Sequence, residues 1–112
     1  MIVVEAALRV QDPARRDSLV AESAPIQEAT RRDEPGCLVY CFAADPVEAD
    51  LIQVYELWID DAALQQHFTH TNYTAMRNML NGAGLASAVS RKHRVDATRP
   101  VYEDGTPVAG FG

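Results

Sequence analysis

An α+β domain, with a four-stranded antiparallel sheet carrying helices on one face, is what this sequence predicts, and three observations predict it. The chain has 112 residues, which suits one domain and is too short for a two-lobed nucleotide enzyme. A strand-helix-strand pattern occurs twice, about 50 residues apart: Ile2-Val3-Val4-Glu5 and Asp12-Pro13-Ala14 are matched by Leu51-Ile52-Gln53-Val54 and Asp60-Asp61-Ala62-Ala63. Two such units in tandem give the split βαβ arrangement. Third, the strand at 51–59 is apolar on both faces, so helices should cover one face and a second copy of the sheet the other, as a symmetric dimer.

The first strand covers residues 2–10, rich in Val and Ile and closed by the turn-prone Gln11-Asp12-Pro13. Asp12 is placed to cap a helix whose first position is Pro13, where a missing N–H does no harm. That helix should run to about Glu34, with Leu19, Ile26 and Thr30 inward and Arg15, Arg16, Arg31 and Arg32 mostly outward. Pro25 removes a hydrogen bond inside it, which predicts a kink or a restart capped by Ser23.

Pro35-Gly36 ends the helix, and residues 37–44 read as a second strand with Leu38, Tyr40 and Phe42 on one face. In the third strand Ile52, Val54, Glu56 and Trp58 alternate with Leu51, Gln53, Tyr55 and Leu57. Asp60-Asp61 then caps a short helix through Phe68. A second helix begins near Thr71, with Tyr73, Met76 and Leu80 at helical spacing and Asn81-Gly82 as its left-handed end. The last strand should cover residues 85–96, and the tail 97–112, with Pro100, Asp104-Gly105 and Pro107, should be extended and turning.

Composition excludes several classes. At 47% hydrophobic and 23% charged the chain is neither disordered nor a disulfide-dense scaffold. Its net charge of -6 would repel a phosphate backbone, so nucleic acid is not an expected partner. The apolar start lacks a basic flank, carries Glu5 and is too short to span a bilayer, so neither a leader nor a membrane partner is expected and the cytoplasm is the default. Cys37 and Cys41 lie about 13 Å apart along a strand at ~3.3 Å per residue, beyond disulfide reach of about 7 Å. Both read as small buried hydrophobes.

Three stretches carry a resemblance: Glu34-Pro35-Gly36-Cys37-Leu38-Val39-Tyr40; Tyr55-Glu56-Leu57-Trp58-Ile59-Asp60-Asp61-Ala62-Ala63-Leu64; and the helical His67 and His70. In this order and spacing they resemble the antibiotic biosynthesis monooxygenase (ABM) family, across about residues 2–96. The resemblance implies a ferredoxin-like fold whose two sheets pack as a dimeric α/β barrel, with an ABM-like domain at 1–96 and a tail at 97–112 that reaches the partner subunit. The haem-degrading branch resembles a pattern with an Asn in the first strand and an iron-binding His in the helix after the third. Here Ala6, Ala7 and Arg77 stand at those places, although Trp58 is present, so haem breakdown is the least expected activity.

The remaining branch resembles oxygenases that use neither metal nor flavin. The implied reading is a homodimeric, cofactor-independent monooxygenase acting with dioxygen on a small aromatic substrate such as a quinol, anthrone or polycyclic phenol. Such a site needs an apolar cavity, a proton acceptor and donors for the developing oxyanion. Leu38, Tyr40, Phe42, Trp58, Phe68, Tyr73, Met76 and Met79 are candidates for its walls. His67 is the expected base, with His70 three residues on and sharing its face if the turn holds. Trp58 and Glu56 share a strand face, the indole to stack on a ring and the carboxylate to accept from a hydroxyl or orient a histidine. Tyr40 and Tyr73 are candidate oxyanion donors, while Asn72 reads first as a helix cap.

No metal is expected, since two histidines three apart lack an assigned third ligand. The run Arg91-Lys92-His93-Arg94 suits an acidic ligand, a partner subunit or a solvated edge. The competing reading is a binding module that sequesters a hydrophobic metabolite without turning it over.

Overall fold

Strands β1 (Ile2–Val10), β2 (Cys37–Ala44), β3 (Leu51–Trp58) and β4 (Leu85–Arg94) form one antiparallel sheet in the order β2-β3-β1-β4. The computed structural model describes residues 1–112. Helices α1 (Arg16–Asp33), α2 (Asp61–Thr69) and α3 (Thr71–Ala83) accompany the sheet, with α1 packed on β2 and α3. This is the α+β ferredoxin-like arrangement that the doubled strand-helix-strand pattern predicts. No helix is long and apolar enough to cross a membrane.

The alternation of β1 and β3 sorts their side chains as expected. Ala6, Leu8 and Val10 of β1 and Ile52, Val54 and Trp58 of β3 join the buried core, with Leu19, Leu64, Met76 and Leu80 from the helices. Each fully buried leucine or isoleucine contributes about 1.5–3 kcal/mol relative to exposure. On the opposite face Tyr55 is 45% exposed and Val89 64% exposed.

Strand β2 is an edge, and α1 occupies its unpaired main-chain groups. Gln27 donates from Nε2 to the Phe42 carbonyl at 3.1 Å and accepts from the Phe42 N–H at 3.0 Å. Arg31 Nε donates to the Tyr40 carbonyl at 2.8 Å. These contacts satisfy an edge that would otherwise invite pairing with another chain, and they fix Tyr40 and Phe42 above the core.

Several local expectations need correction. The first turn at Pro13–Arg15 is a 3-10 helix capped by Asp12, and the α-helix starts only at Arg16. Arg16 is buried, not outward: its Nη1 donates to the carbonyls of Asp45, Glu48 and Leu51, which lie in or beside the β2–β3 connection, and so ties α1 to that connection. Helix α1 continues through Pro25 without a restart, and Ser23 donates back to the Val20 carbonyl instead of capping. Pro25 and Ala21, whose carbonyl loses its partner, are both exposed, so water can take the lost bond.

Two further corrections concern chain ends of elements. Between Cys37 and Val39 the β2–β3 register shifts by a bulge, which leaves Leu38 49% exposed and outside the cavity wall. Helix α3 passes through Asn81-Gly82 and stops at Gly84, whose positive φ of 83° turns the chain out of the helix. In the tail, β5 (Tyr102–Glu103) and β6 (Thr106–Pro107) form a minimal hairpin, and the positive φ of Asp104 and Gly105 gives its mirror-image turn. Strand β3 closes at Trp58 and β4 at Arg94, each within two residues of the predicted end.

Candidate active site

A cavity of about 600 Å³ lies between the sheet and helices α2 and α3 and opens to solvent. Its volume suits a small ligand, since such sites commonly span roughly 300–1,000 Å³. Tyr40 and Phe42 reach it from β2, Glu56 from β3, His67 and Phe68 from α2, and Tyr73 and Met76 from α3. Seven of the ten predicted site residues therefore line one hollow.

Trp58, His70 and Asn72 do not line it, and each departs from its expected role. Trp58 is 1% exposed and lies behind the wall, its ring 4.5 Å from that of His67, so it supports the imidazole instead of offering a ligand its face. Its Nε1 donates to Glu56 Oε1 at 2.9 Å, because residues two apart on a strand point the same way. Glu56 thus holds the indole and does not orient a histidine. His70 falls between α2 and α3, off the face of His67, and caps α3 by accepting from the Asn72 N–H at 3.0 Å. Asn72 is accordingly not the cap; its side-chain amide donates to Glu34 behind the cavity wall.

The group that orients His67 is Glu34, the residue that closes α1. Its Oε1 lies 2.8 Å from His67 Nδ1, and its Oε2 accepts from Asn72 Nδ2 at 3.2 Å. Both Glu34 and His67 are buried. A carboxylate accepting at Nδ1 fixes the neutral tautomer with its proton there, which leaves Nε2 as the basic nitrogen. His70 Nδ1 stands 3.9 Å from Glu34 Oε2, but a nitrogen that accepts from an N–H is unprotonated, so this approach is no ion pair.

Sequence reasoning passes over Glu34 because its contacts span 33 and 38 residues. One signal was available: an acidic residue at a helix C-terminus opposes the macrodipole, which favours cations there. Such a placement points to a partner elsewhere in the fold. Gly36 makes it possible, since a Cβ there would collide with Ala63 Cβ of α2. The missing side chain lets the end of α1 approach α2 closely enough for Glu34 to reach His67.

Burial sets the protonation states. It lowers the His67 pKa from the ordinary 6.5, against the upward pull of Glu34, so the imidazole is neutral at pH 7. It pushes the Glu56 carboxyl up to about 7, opposed by the indole N–H and reinforced by the nearby Glu34 charge. It also pushes the Tyr40 phenol well above its usual range, so that hydroxyl stays a donor. Around His67 the rings of Tyr40 and Tyr73 stand edge-on at 5.5 and 5.4 Å. No cluster of three or more His, Cys, Asp or Glu side chains converges on a point where a metal would sit. Cys37 and Cys41 are free thiols, and burial raises Cys37 to about 11, away from nucleophilic use.

Comparison with known proteins meets the same family. The sequence profile of antibiotic biosynthesis monooxygenases, ABM, matches residues 1–79. An uncharacterised protein of Synechocystis is 36% identical over 67 residues, 60% of this chain and 44% of that protein. The chain thus matches less than half the length of that curated relative. Among solved structures, a candidate antibiotic biosynthesis monooxygenase of Caulobacter crescentus is 26% identical with a TM-score of 0.75, covering 88% of this chain and 90% of the other. A candidate of the same kind from Deinococcus radiodurans is 19% identical with a TM-score of 0.75, covering 92% and 100%. A mutant of SnoaB, a cofactor-independent oxygenase of Streptomyces nogalater, shares the fold at 14% identity and a TM-score of 0.65, over 88% and 96%. With a family profile covering well over half of its residues, the chain belongs to the antibiotic biosynthesis monooxygenase family.

Proposed function

We propose that this protein is a monooxygenase that oxidises an anthrone, quinol or similar polycyclic phenol with dioxygen, without an added cofactor. The observation that carries this reading is the neutral imidazole of His67, held by buried Glu34 at 2.8 Å and lining an apolar cavity. A base poised in that way suits removal of a weakly acidic proton next to a ring system.

For an anthrone-type methylene the step balances as follows. His67 Nε2 takes one C–H proton, and the resulting ring anion passes one electron to dioxygen. The radical pair joins through a new C–O bond, and the returned proton gives a hydroperoxide. Loss of the second C–H proton with cleavage of the O–O bond leaves a carbonyl and one water. The substrate has lost two hydrogens and gained one oxygen, and the other oxygen leaves as water. The Tyr40 hydroxyl, and Glu56 when protonated, are donors for the oxyanion that forms on the ring.

The functional unit in this reading is a homodimer, with the exposed face around Tyr55 and Val89 covered by a second copy. The tail, which exposes Val101, Tyr102 and Phe111, packs on that partner. Oxygen uptake with a panel of anthrones and hydroquinones tests the activity. Uptake that His67→Ala abolishes supports it. Ligand-induced thermal stabilisation without any uptake would instead assign a binding module.

A further inference from the structure

The cavity has a charge asymmetry that its apolar walls do not require. Acidic residues outnumber basic ones sixteen to ten in the chain, yet Glu56 is the only carboxylate on the lining, against Arg77, Arg91 and Lys92. Arg91 is held by Glu5. Arg77 and Lys92 form no ion pair with any carboxylate of the chain. Both are exposed, at the open side of the hollow where α3 faces β4.

The register gives the distance. Val4 of β1 is paired with Glu56 on one side and with Lys92 on the other. Glu56, Val4 and Lys92 therefore form one row across the cavity floor, with its ends two strand spacings apart, roughly 10 Å at about 4.8 Å per strand. A fused ring system laid over Val4 spans that row. Its reacting hydroxyl or methylene would lie at the buried end with Glu56 and His67, and its other end between Lys92 and Arg77.

We propose that the substrate is an aromatic acid: a fused-ring phenol or anthrone whose carboxylate, at the end remote from the reacting position, is held by Arg77 and Lys92. This rests on the oxygenase reading for what happens at the buried end, but the anion subsite stands on binding alone. Guanidinium and ammonium groups at an apolar mouth give charge-assisted bonds to a carboxylate, and an ester offers neither the charge nor the same acceptors.

Titration calorimetry with a naphthol carboxylic acid, its hydroxyl and carboxylate at opposite ends of the long axis, and with its methyl ester tests the inference. The acid should bind about tenfold more tightly than the ester or better, and the combined Arg77→Gln and Lys92→Gln variant should reduce that preference to about twofold. Arg94→Gln, on the same strand but outside the cavity lining, should keep it. Equal affinity for acid and ester, no affinity for either, or a preference that survives the double variant overturns the proposal. Oxygen uptake separates the two readings. Turnover of neutral anthrones with no preference for acids sinks the anion subsite alone, while a clear preference with no uptake sinks the oxygenase assignment alone.

Discussion

Glu34 Oε1, at the end of α1, and His67 Nδ1, in α2, meet at 2.8 Å although the two residues are 33 apart in sequence. The contact sets the tautomer of the imidazole, so it acts on the proposed reaction through His67 without touching a substrate. Replacing Glu34 by Gln keeps an acceptor in place and removes its charge. We expect kcat to fall at least about tenfold, in line with the usual worth of a positioned base. The carboxylate raises the His67 pKa while burial lowers it, so the acid limb of kcat/KM should lie below pH 6.5 and move lower still in Glu34→Gln. A pH-rate profile of both forms checks this; an unmoved acid limb would show that Glu34 does not govern the base.

Glu56 should make stability depend on pH in the direction opposite to that of an ordinary salt-bridged carboxylate. Its carboxyl is raised from 4.5 to about 7 by burial, so folding disfavours ionisation. Below pH 4.5 both folded and unfolded states hold the proton, and the group costs nothing. As pH climbs toward 7 the unfolded chain ionises first, and stability is lost, on the order of 3 kcal/mol at about 1.4 per unit. Glu56→Gln keeps the acceptor for Trp58 and removes the ionisation. Its melting temperature should exceed that of the parent at about pH 8 and match it near pH 4, below the unfolded carboxyl's 4.5.

Gly36→Ala should destabilise the fold by about 1–3 kcal/mol, the usual cost of overpacking, because the new methyl collides with Ala63 and also meets Ile59 Cγ2 at 3.1 Å. Denaturant titration measures the loss. Adding Ala63→Gly should restore most of it, and a pair of losses that simply add would show that the strain lies elsewhere.

The proposed dimer predicts a change of mass. Tyr55 is 45% exposed in the middle of the uncovered face, paired across strands with Glu5 and Cys41. Tyr55→Glu sets a second carboxylate beside Glu5 and should halve the mass seen by light scattering while the circular dichroism spectrum holds. A single-chain mass for the parent protein would remove the homodimer from the reading.

Much of the framework was legible because strands announce themselves by period. Residues 2–10, rich in Val and Ile before a turn signal, and 37–44, with Tyr40 and Phe42 on one face, form strands where the sequence puts them, and Asp60 caps α2 as read. The misreadings share a cause: local signals were outvoted by contacts from afar. Arg16 reads as a surface residue until the β2–β3 connection folds three carbonyls around its guanidinium, and Pro25 reads as a helix break until its exposed position makes the lost bond cheap. Within the site, strand parity puts Glu56 and Trp58 on one face but does not say that they bind each other. Glu34 reads only as the end of a helix and the head of the Glu-Pro-Gly stretch, since nothing local reveals a partner 33 residues away.

The chain contains a single tryptophan, and it is Trp58, whose indole lies 4.5 Å from the ring of His67. Protonated imidazole quenches indole emission at such range. The fluorescence of unlabelled Glu56→Gln protein, which lacks the carboxyl that titrates near 7 against the same indole, should therefore dim as the base gains its proton, giving an optical titration of that one nitrogen heterocycle with no dye and no turnover required.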